Sequence, residues 1–547
     1  MTASLAGPYV MQAPLGIEDS ALLAQLENKV DSYKGINRLL KAYYEGNIWL
    51  NKIGFSVPPR MKEFQTVVGW PAIIVDVIEE RLKWKGWFDL SILDEPDEQE
   101  EVEFDPEADP LGDIPQPVTV DAATQKFFDD VYLDNSLEAE APMVHLDALI
   151  YGCGFATVGT RDPDDLEKTP LVTTESTELT TGIYDPQKRR LTSGVVFRTD
   201  DDGNIMRAAL MKLDETIYLR RLGVGARWIV EHKDQHNLGR LPLVPFINRP
   251  MGSRRSGRSE ITRPIRGYTD IGVRTILGME TNREFFSAPQ RYVLGATEED
   301  FRDEAGNKIP GWQSIIGRIW GIGRNEDGEL PEVGEFTPAP SRPYLEQIQG
   351  LSQLVAADGA VPQTYLGFMS DNPASADSIR ALESRLIKRS ERRITSFGWS
   401  WGEVGRLAWM MQQKDPFPRL DTDWGNPATP TMQADADWAI KLIAAKVLSP
   451  NSTIARNRLN FSKSEQAIIE QENRREEAKA RVQAARDQAA ALKQAEATAE
   501  IGARYGTPGG AGGAGGGSKA PNPAAPGGSK SKGGSAGVPG GRNGSRG

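Results

Sequence analysis

One cysteine, Cys153, stands among 547 residues. An intrachain disulfide is therefore excluded, and the usage fits a reducing compartment such as a host cytoplasm. Histidine is nearly as scarce. His145, His232 and His236 are the full complement, few for a metal centre or for imidazole acid–base chemistry. No G-x-x-x-x-G-K-[ST] occurs, so there is no P-loop; the glycine cluster ending in Ser518-Lys519 follows no strand and reads as linker. Gly321-Ile322-Gly323 lacks the third glycine and the βαβ setting of a dinucleotide site, and Gly152-Cys153-Gly154 reads as a tight turn. No apolar run is long enough to span a bilayer, and MTASLAGPYVMQAPLGIEDS lacks the basic-then-apolar order of a signal peptide. Positive charge does not dominate either: the net charge is −12. An acidic chain is ill suited to wrapping nucleic acid, which relies on clustered Lys and Arg. No catalytic residue, cofactor or metal ligand is nominated, and a buried structural thiol is the simpler account of Cys153.

What is present is mostly helix. Leu22, Leu23, Leu26, Val30 and Tyr33 keep helical spacing over residues 20–52. A second helix should start near Pro71 with Ile74, Val77, Ile78 and Leu82 on one face. Residues 94–109, DEPDEQEEVEFDPEAD, read as a solvated loop because like charges repel. Residues 123–153 return to helix through Phe127, Phe128, Val131, Leu146 and Ile150. Residues 155–250 are rich in Val, Thr, Ile and Tyr, with a hairpin expected about Asp201-Asp202-Gly203-Asn204 and a strand at Arg227-Trp228-Ile229-Val230.

Helix resumes at 257–287, with Pro264 in or near its first turn. Residues 289–340 read as short strands and turns, and 343–357 as helix. A short Gly/Pro loop comes next, Asp358-Gly359-Ala360-Val361-Pro362, running on through Leu366 to Met369. A long helix then begins at Asn372-Pro373, an N-cap residue followed by a proline. Its stripe is Ile379, Leu382, Leu386, Ile394, Phe397, Trp401, Val404, Ala408 and Met411, with Gly398 and Gly402 as sites of bending. Phe397, Trp399, Trp401 and Trp409 are read as core. Residues 430–503 are helical, with a capping-box pattern at Ser462 and Glu465 and i,i+4 pairs Glu470–Arg474 and Glu477–Arg481. Residues 506–547 form a Gly/Pro/Ser-rich tail with basic residues at 519, 530, 532, 542 and 546. The fold class is α+β, mainly helical.

Several stretches resemble the portal (head–tail connector) proteins of long-tailed double-stranded DNA phages, especially those of actinobacteria. They are Tyr43-Tyr44-Glu45-Gly46, Gly69-Trp70, Val75 on to Leu82, Tyr151-Gly152-Cys153-Gly154-Phe155, and Pro245-Phe246-Ile247-Asn248-Arg249. Gly257-Arg258-Ser259-Glu260, Ala288-Pro289-Gln290-Arg291-Tyr292, Asp371 on to Asp377, and Glu383-Ser384-Arg385-Leu386 continue the series. The order spans about residues 20–410; the tail carries none of it. The resemblance implies a virion ring, typically of twelve subunits, at one capsid vertex, made in the host cytoplasm and with no membrane. Its implied partners are double-stranded DNA in the channel, the terminase large subunit, the major capsid protein, a scaffold protein and head–tail adaptors. It labels residues 1–256 as wing, 257–287 as first stem helix, 288–340 as clip and 341–357 as second stem helix. Residues 358–372 become the tunnel loop, 373–429 the long helix and wing return, and 430–505 the crown.

Three groups carry this expectation. Gly359, Val361, Pro362, Gln363, Tyr365, Leu366, Phe368 and Met369 would line the channel, on a loop expected to be removable without loss of fold. Trp312, Ile315, Ile316, Ile319 and Trp320 are too apolar for so short a segment and read as a clip interface. Arg380, Arg385, Lys388, Arg389, Arg392 and Arg393 form a basic belt, either a salt network, a solvated face or a DNA contact. A second cluster, Arg249, Arg254, Arg255, Arg258, Arg263 and Arg266, precedes the first stem helix. Two rivals remain: a DNA-processing packaging enzyme, and an adaptor or scaffold without a channel. Intrinsic ATPase or nuclease activity would mark the first, and the absence of a closed ring the second.

Overall fold

The computed structural model describes residues 14–48, 66–89, 122–286 except 163 and 254, 291–294, 332–335, 340–367, 376–413, 420–428 and 432–459 except 451, with scattered positions between 461 and 493. The chain divides into two units, residues 1–459 and 460–547. The second is described only at Phe461 and at helical positions between 465 and 493. Ser462, Glu470 and Glu477, and with them the capping box and both ion pairs, lie outside the described residues. So do the acidic run and the tail.

In the first unit, α1 (Ile17–Glu45) buries Leu23, Leu26, Val30, Leu40 and Tyr43, and stops at Gly46, whose φ of 74° is left-handed. The helix is shorter than its apolar spacing implies, because that glycine caps it. Tyr33 lies off the buried stripe and is exposed. Helix α2 (Trp70–Glu79) opens with Pro71 in its first turn and buries Ile74, Val75 and Ile78. Strand β1 (Trp84–Asp89) pairs antiparallel with β12 (Leu420–Trp424).

Residues 123–153 form two helices rather than one, α3 (Ala122–Asp134) and α4 (Leu137–Tyr151). Asn135 makes the break. Its Nδ2 donates to the carbonyls of Val131 (2.9 Å) and Pro170 (3.0 Å), and its Oδ1 accepts from Val172 N (2.9 Å) and Arg161 Nη2 (2.8 Å). Ser136 comes next in the left-handed region at φ 49°. A side chain with four such partners competes successfully with the helical ladder.

The β-rich block holds two antiparallel sheets. Strands β3 (Leu171–Glu175), β2 (Cys153–Gly159) and β9 (Leu243–Ile247) form one. Strands β4 (Thr180–Asp185), β5 (Arg190–Thr199), β6 (Ile205–Met211), β7 (Thr216–Arg220) and β8 (Ile229–Asp234) form the other, in that order. The β5–β6 turn is the expected hairpin: Asn204 N donates to Asp200 Oδ1 (2.7 Å) and Gly203 takes φ 79°. Strand β8 starts two residues later than the Arg227-Trp228 pattern implies. The sheet packs Val195, Phe197, Leu210 and Ile217 against Leu23, Leu26 and Val30 of α1.

Helix α5 (Arg263–Phe286) begins six residues after the expected start. Gly257, at φ 74°, is why: a Cβ there would sit 2.0 Å from Gly152 O and 2.7 Å from Asn248 O, so the backbone turns beneath β2 and β9 before helix begins. Strands β10 (Arg291–Leu294) and β11 (Glu332–Glu335) pair antiparallel at the base of the 288–340 segment. Helix α6 (Arg342–Gly359) returns beside α5, with Tyr344 of its first turn against Gly278.

Helix α7 (Ala376–Gln413) is about 57 Å long at 1.5 Å per residue. It buries Leu386, Phe397, Trp401, Val404, Leu407 and Ala408. Trp399 does not join them; it is 80% exposed. Phe397 and Trp401 hold the buried face, and a residue two positions from each points away from it. Gly398 and Gly405 serve close approach: a Cβ at 398 would meet Thr422 Oγ1 at 2.8 Å, and one at 405 Trp87 Nε1 at 2.6 Å. The expected cap at Asn372 lies outside the described residues. Helices α8 (Met432–Ala444) and α9 (Thr453–Arg458) complete the described elements of this unit.

The largest core cluster centres on stacked Trp84 and Trp401, ring centroids 3.9 Å apart. His145 is fully buried beside them, stacked on Phe397 at 5.2 Å and Trp424 at 5.5 Å. Its Nε2 accepts a 2.9 Å bond from Trp401 Nε1, which requires neutral imidazole, and burial lowers its pKa to about 3. The α+β expectation holds.

Candidate functional site

The end of α6 and the start of α7 meet around a short turn, and two polar clusters hold that turn. Helix α6 ends on Ala360 in the left-handed region, φ 56° and ψ 34°. Pro362 then caps a 3-10 turn over Gln363–Leu366, closed by Gly367 at φ 89°. Ala360, Val361 and Leu366 are buried, so the turn is anchored in the core from beneath.

The first cluster lies on the α7 side. Arg389 Nη1 donates to Gly359 O (2.6 Å) and Nη2 to Asp358 O (2.8 Å), while Arg385 Nη1 donates to Ala357 O (3.1 Å). The last carbonyls of a helix have no intrahelical donor and carry its negative end, so two guanidiniums there satisfy both needs. Behind them sits Glu260, fully buried. Its carboxylate takes Arg393 Nη2 on Oε1, and Arg249 Nη1 (3.3 Å) and Arg389 Nη1 (4.0 Å) on Oε2. Asn248 Nδ2 adds a 3.0 Å bond. Burial pushes a carboxyl up, but Arg393 and then Arg249 outweigh it and hold Glu260 below the usual carboxylate range.

The second cluster grips the turn from the α2 side. Arg81 Nη2 donates to Tyr365 OH (3.0 Å) and to Glu383 Oε1 (3.2 Å), and its Nη1 to Pro427 O (3.3 Å). The Tyr365 hydroxyl donates to Glu383 Oε1. Burial, then that bond, raises the tyrosine pKa. Arg81 is itself buried, so this triad fixes the turn to α2 and α7 together.

The chain as a whole is similar in sequence to known proteins. The family described as phage portal protein, SPP1 Gp6-like, matches residues 21–480. The chain is 32% identical over 457 residues to a portal protein of Mycobacterium phage D29, covering 81% of this chain and 85% of the relative. It is 30% identical over 449 residues to a portal protein of Mycobacterium phage L5, covering 79% and 85%.

The chain belongs to the phage portal protein family. Its function is that of a phage portal protein, a virion component, and the long-tailed actinobacterial resemblance agrees with both relatives. No helix among the described residues is long and apolar enough to cross a membrane.

Within the family's layout, the residues expected to line the channel divide. Gly359, Val361, Pro362 and Leu366 are buried in this subunit. Gln363 is half-buried, 3.4 Å from Ser352 Oγ, and Tyr365 is exposed. Phe368 and Met369 lie outside the described residues, as do all five clip residues, Trp312, Ile315, Ile316, Ile319 and Trp320. The expectation that the loop can be removed without loss of fold gives way: Val361 and Leu366 belong to the main core.

The belt divides as well. Arg389 and Arg393 are spent within the subunit, Arg385 bonds Ala357 O but is exposed like Lys388 and Arg392, and the Arg380 side chain lies outside the described residues. From the second cluster, Arg249 and Arg258 join the belt, Arg266 lies over the Tyr43 ring, Arg255 is exposed and Arg254 is outside the described residues. Glu260, Arg81 and Glu383 stand in the stretches that carry the family resemblance, but the sequence assigns them no role at the turn. A lone glutamate among six arginines over residues 249–266 was the available signal. Burial pushes the Cys153 thiol up to about 12, which favours its protonated form at neutral pH.

Proposed function

We propose that this chain assembles into a closed ring, of twelve copies as is typical of the family, and serves as the conduit for DNA at one capsid vertex. Residues 288–340 dock the terminase large subunit during packaging and the head–tail adaptors afterwards. Residues 1–256 and 373–429 meet the major capsid protein and scaffold, and residues 430–505 face the capsid interior. The ATP chemistry belongs to the motor; this chain acts by geometry and is not an enzyme. The observation that carries the reading is the family match over residues 21–480.

The packing supports it at the two stem helices and the turn. Helices α5 and α6 lie side by side, and α6 delivers a short turn with an exposed outer edge, Thr364, Tyr365 and Gly367. Buried Arg81 and half-buried Arg389 brace that turn from either side. A rigidly held turn repeated around a ring narrows a channel by a fixed amount, which a mobile one does not. The proposed lining is therefore the outer edge of the 3-10 turn, with Val361 and Leu366 as its foundation.

A Thr364→Trp variant tests this. Thr364 is exposed, so the variant's melting temperature should match the parent, while DNA packaged per capsid should fall sharply. Normal packaging by a ring in which every copy carries the substitution would remove the turn from the channel.

A further inference from the structure

The belt and the second basic cluster, which lie more than a hundred residues apart in sequence, close over one cleft of ≈ 520 Å³. Seven cationic side chains line it, from Arg249 and Arg258 on one wall to Arg385, Lys388 and Arg392 on the other, with Arg389 and Arg393 between. Glu260 behind the base is shared by Arg393, Arg249 and Arg389, so one carboxylate faces three guanidiniums. The crowding is felt: burial, and after it Arg249, Arg393 and Arg385, lower the Arg389 pKa against the pull of Glu260.

Two further features point to a ligand. Arg258 Nε and Arg393 Nε are buried with no acceptor. A buried N–H without a partner is costly, so these two guanidiniums are not fully satisfied within the subunit. On the rim, Lys388 and Arg392 are exposed and make no ion pair with any described residue. Planar guanidinium forks match tetrahedral oxyanions, which accept from several donors at once.

Shape selects among oxyanions. A duplex is a stiff rod and can present its phosphates only to the rim at Arg385, Lys388 and Arg392. A compact, multiply charged group fits inside a cleft of ≈ 520 Å³ and meets cationic side chains from both walls.

We propose that this cleft binds a compact polyphosphate-type anion, pyrophosphate or the phosphate tail of a nucleotide, held by Arg258, Arg385, Lys388 and Arg392 above the Arg393–Glu260 base. All of the named lining residues come from one subunit.

Isothermal titration of the full-length protein with sodium pyrophosphate tests it, with a short duplex oligonucleotide as competitor. The parent should bind one pyrophosphate per chain and melt at higher temperature in its presence. Lys388→Ala with Arg392→Ala, both exposed, should leave the ligand-free melting temperature unchanged and weaken binding by about tenfold or more. Pyrophosphate should stay bound at saturating duplex. Absence of pyrophosphate binding to the parent, equal binding by the double variant, or displacement by duplex would each overturn the proposal, the last in favour of a DNA-backbone contact.

Discussion

Replacing Glu260 with glutamine removes the single charge that neutralises a buried group of arginines. Arg393 is only 5% exposed and cannot turn to water. Its Nη2 partner loses its negative charge, and Arg249 and Arg389 then repel it without compensation. Leaving a buried ion unpaired costs about 3–5 kcal/mol. Urea unfolding followed by tryptophan fluorescence should show that loss as a lowered midpoint at constant slope. Removing both ions, Glu260→Met with Arg393→Met, should be milder than the sum of the single changes, with a coupling of about 2 kcal/mol. The pH response fixes the sign. The folded pKa of Glu260 lies below its unfolded value of about 4.3. Its contribution is therefore complete above that unfolded value and fades as pH falls through the folded pKa. A cost under about 1 kcal/mol for Glu260→Gln, or strict additivity in the cycle, would refute the view that this cluster is a coupled electrostatic unit.

Three other perturbations follow from the packing. His145 stays neutral when folded, with a pKa of about 3 against about 6.5 unfolded, so the unfolded chain binds the proton first. Between pH 7 and pH 5 the parent should lose about 2 kcal/mol relative to His145→Gln, which keeps an acceptor for Trp401; a flat difference contradicts the burial argument. Arg389→Ala should speed amide exchange over Val361–Leu366 and cost roughly 1–3 kcal/mol, because two carbonyls at the end of α6 lose their donors. Gly257→Ala combines a positive φ with a backbone clash and should cost more than about 3 kcal/mol, or abolish soluble expression.

Local pattern revealed the elements whose causes are local. The Leu23, Leu26, Val30 stripe, the proline in the first turn of α2 and the Asp-Gly hairpin were each legible because neighbours in sequence decide them. The break between α3 and α4 was not, since Asn135 is fixed by Pro170 and Val172 from a strand beyond the next helix. Trp399 followed composition rather than its angle on α7. The belt was visible as charge, but what it does within the subunit was hidden. Arg393 finds Glu260 across 133 residues, and Arg389 finds the end of α6 across 30. Several stretches that carry the family resemblance, Pro245 to Arg249, Gly257 to Glu260 and Glu383 to Leu386, converge on those clusters. That convergence is a property of the fold and has no counterpart in spacing.

Whether the chain forms a channel is read from electron microscopy of the purified full-length protein. A closed ring with a central opening wide enough for duplex DNA is expected. Monomers or open filaments under assembly conditions would contradict it.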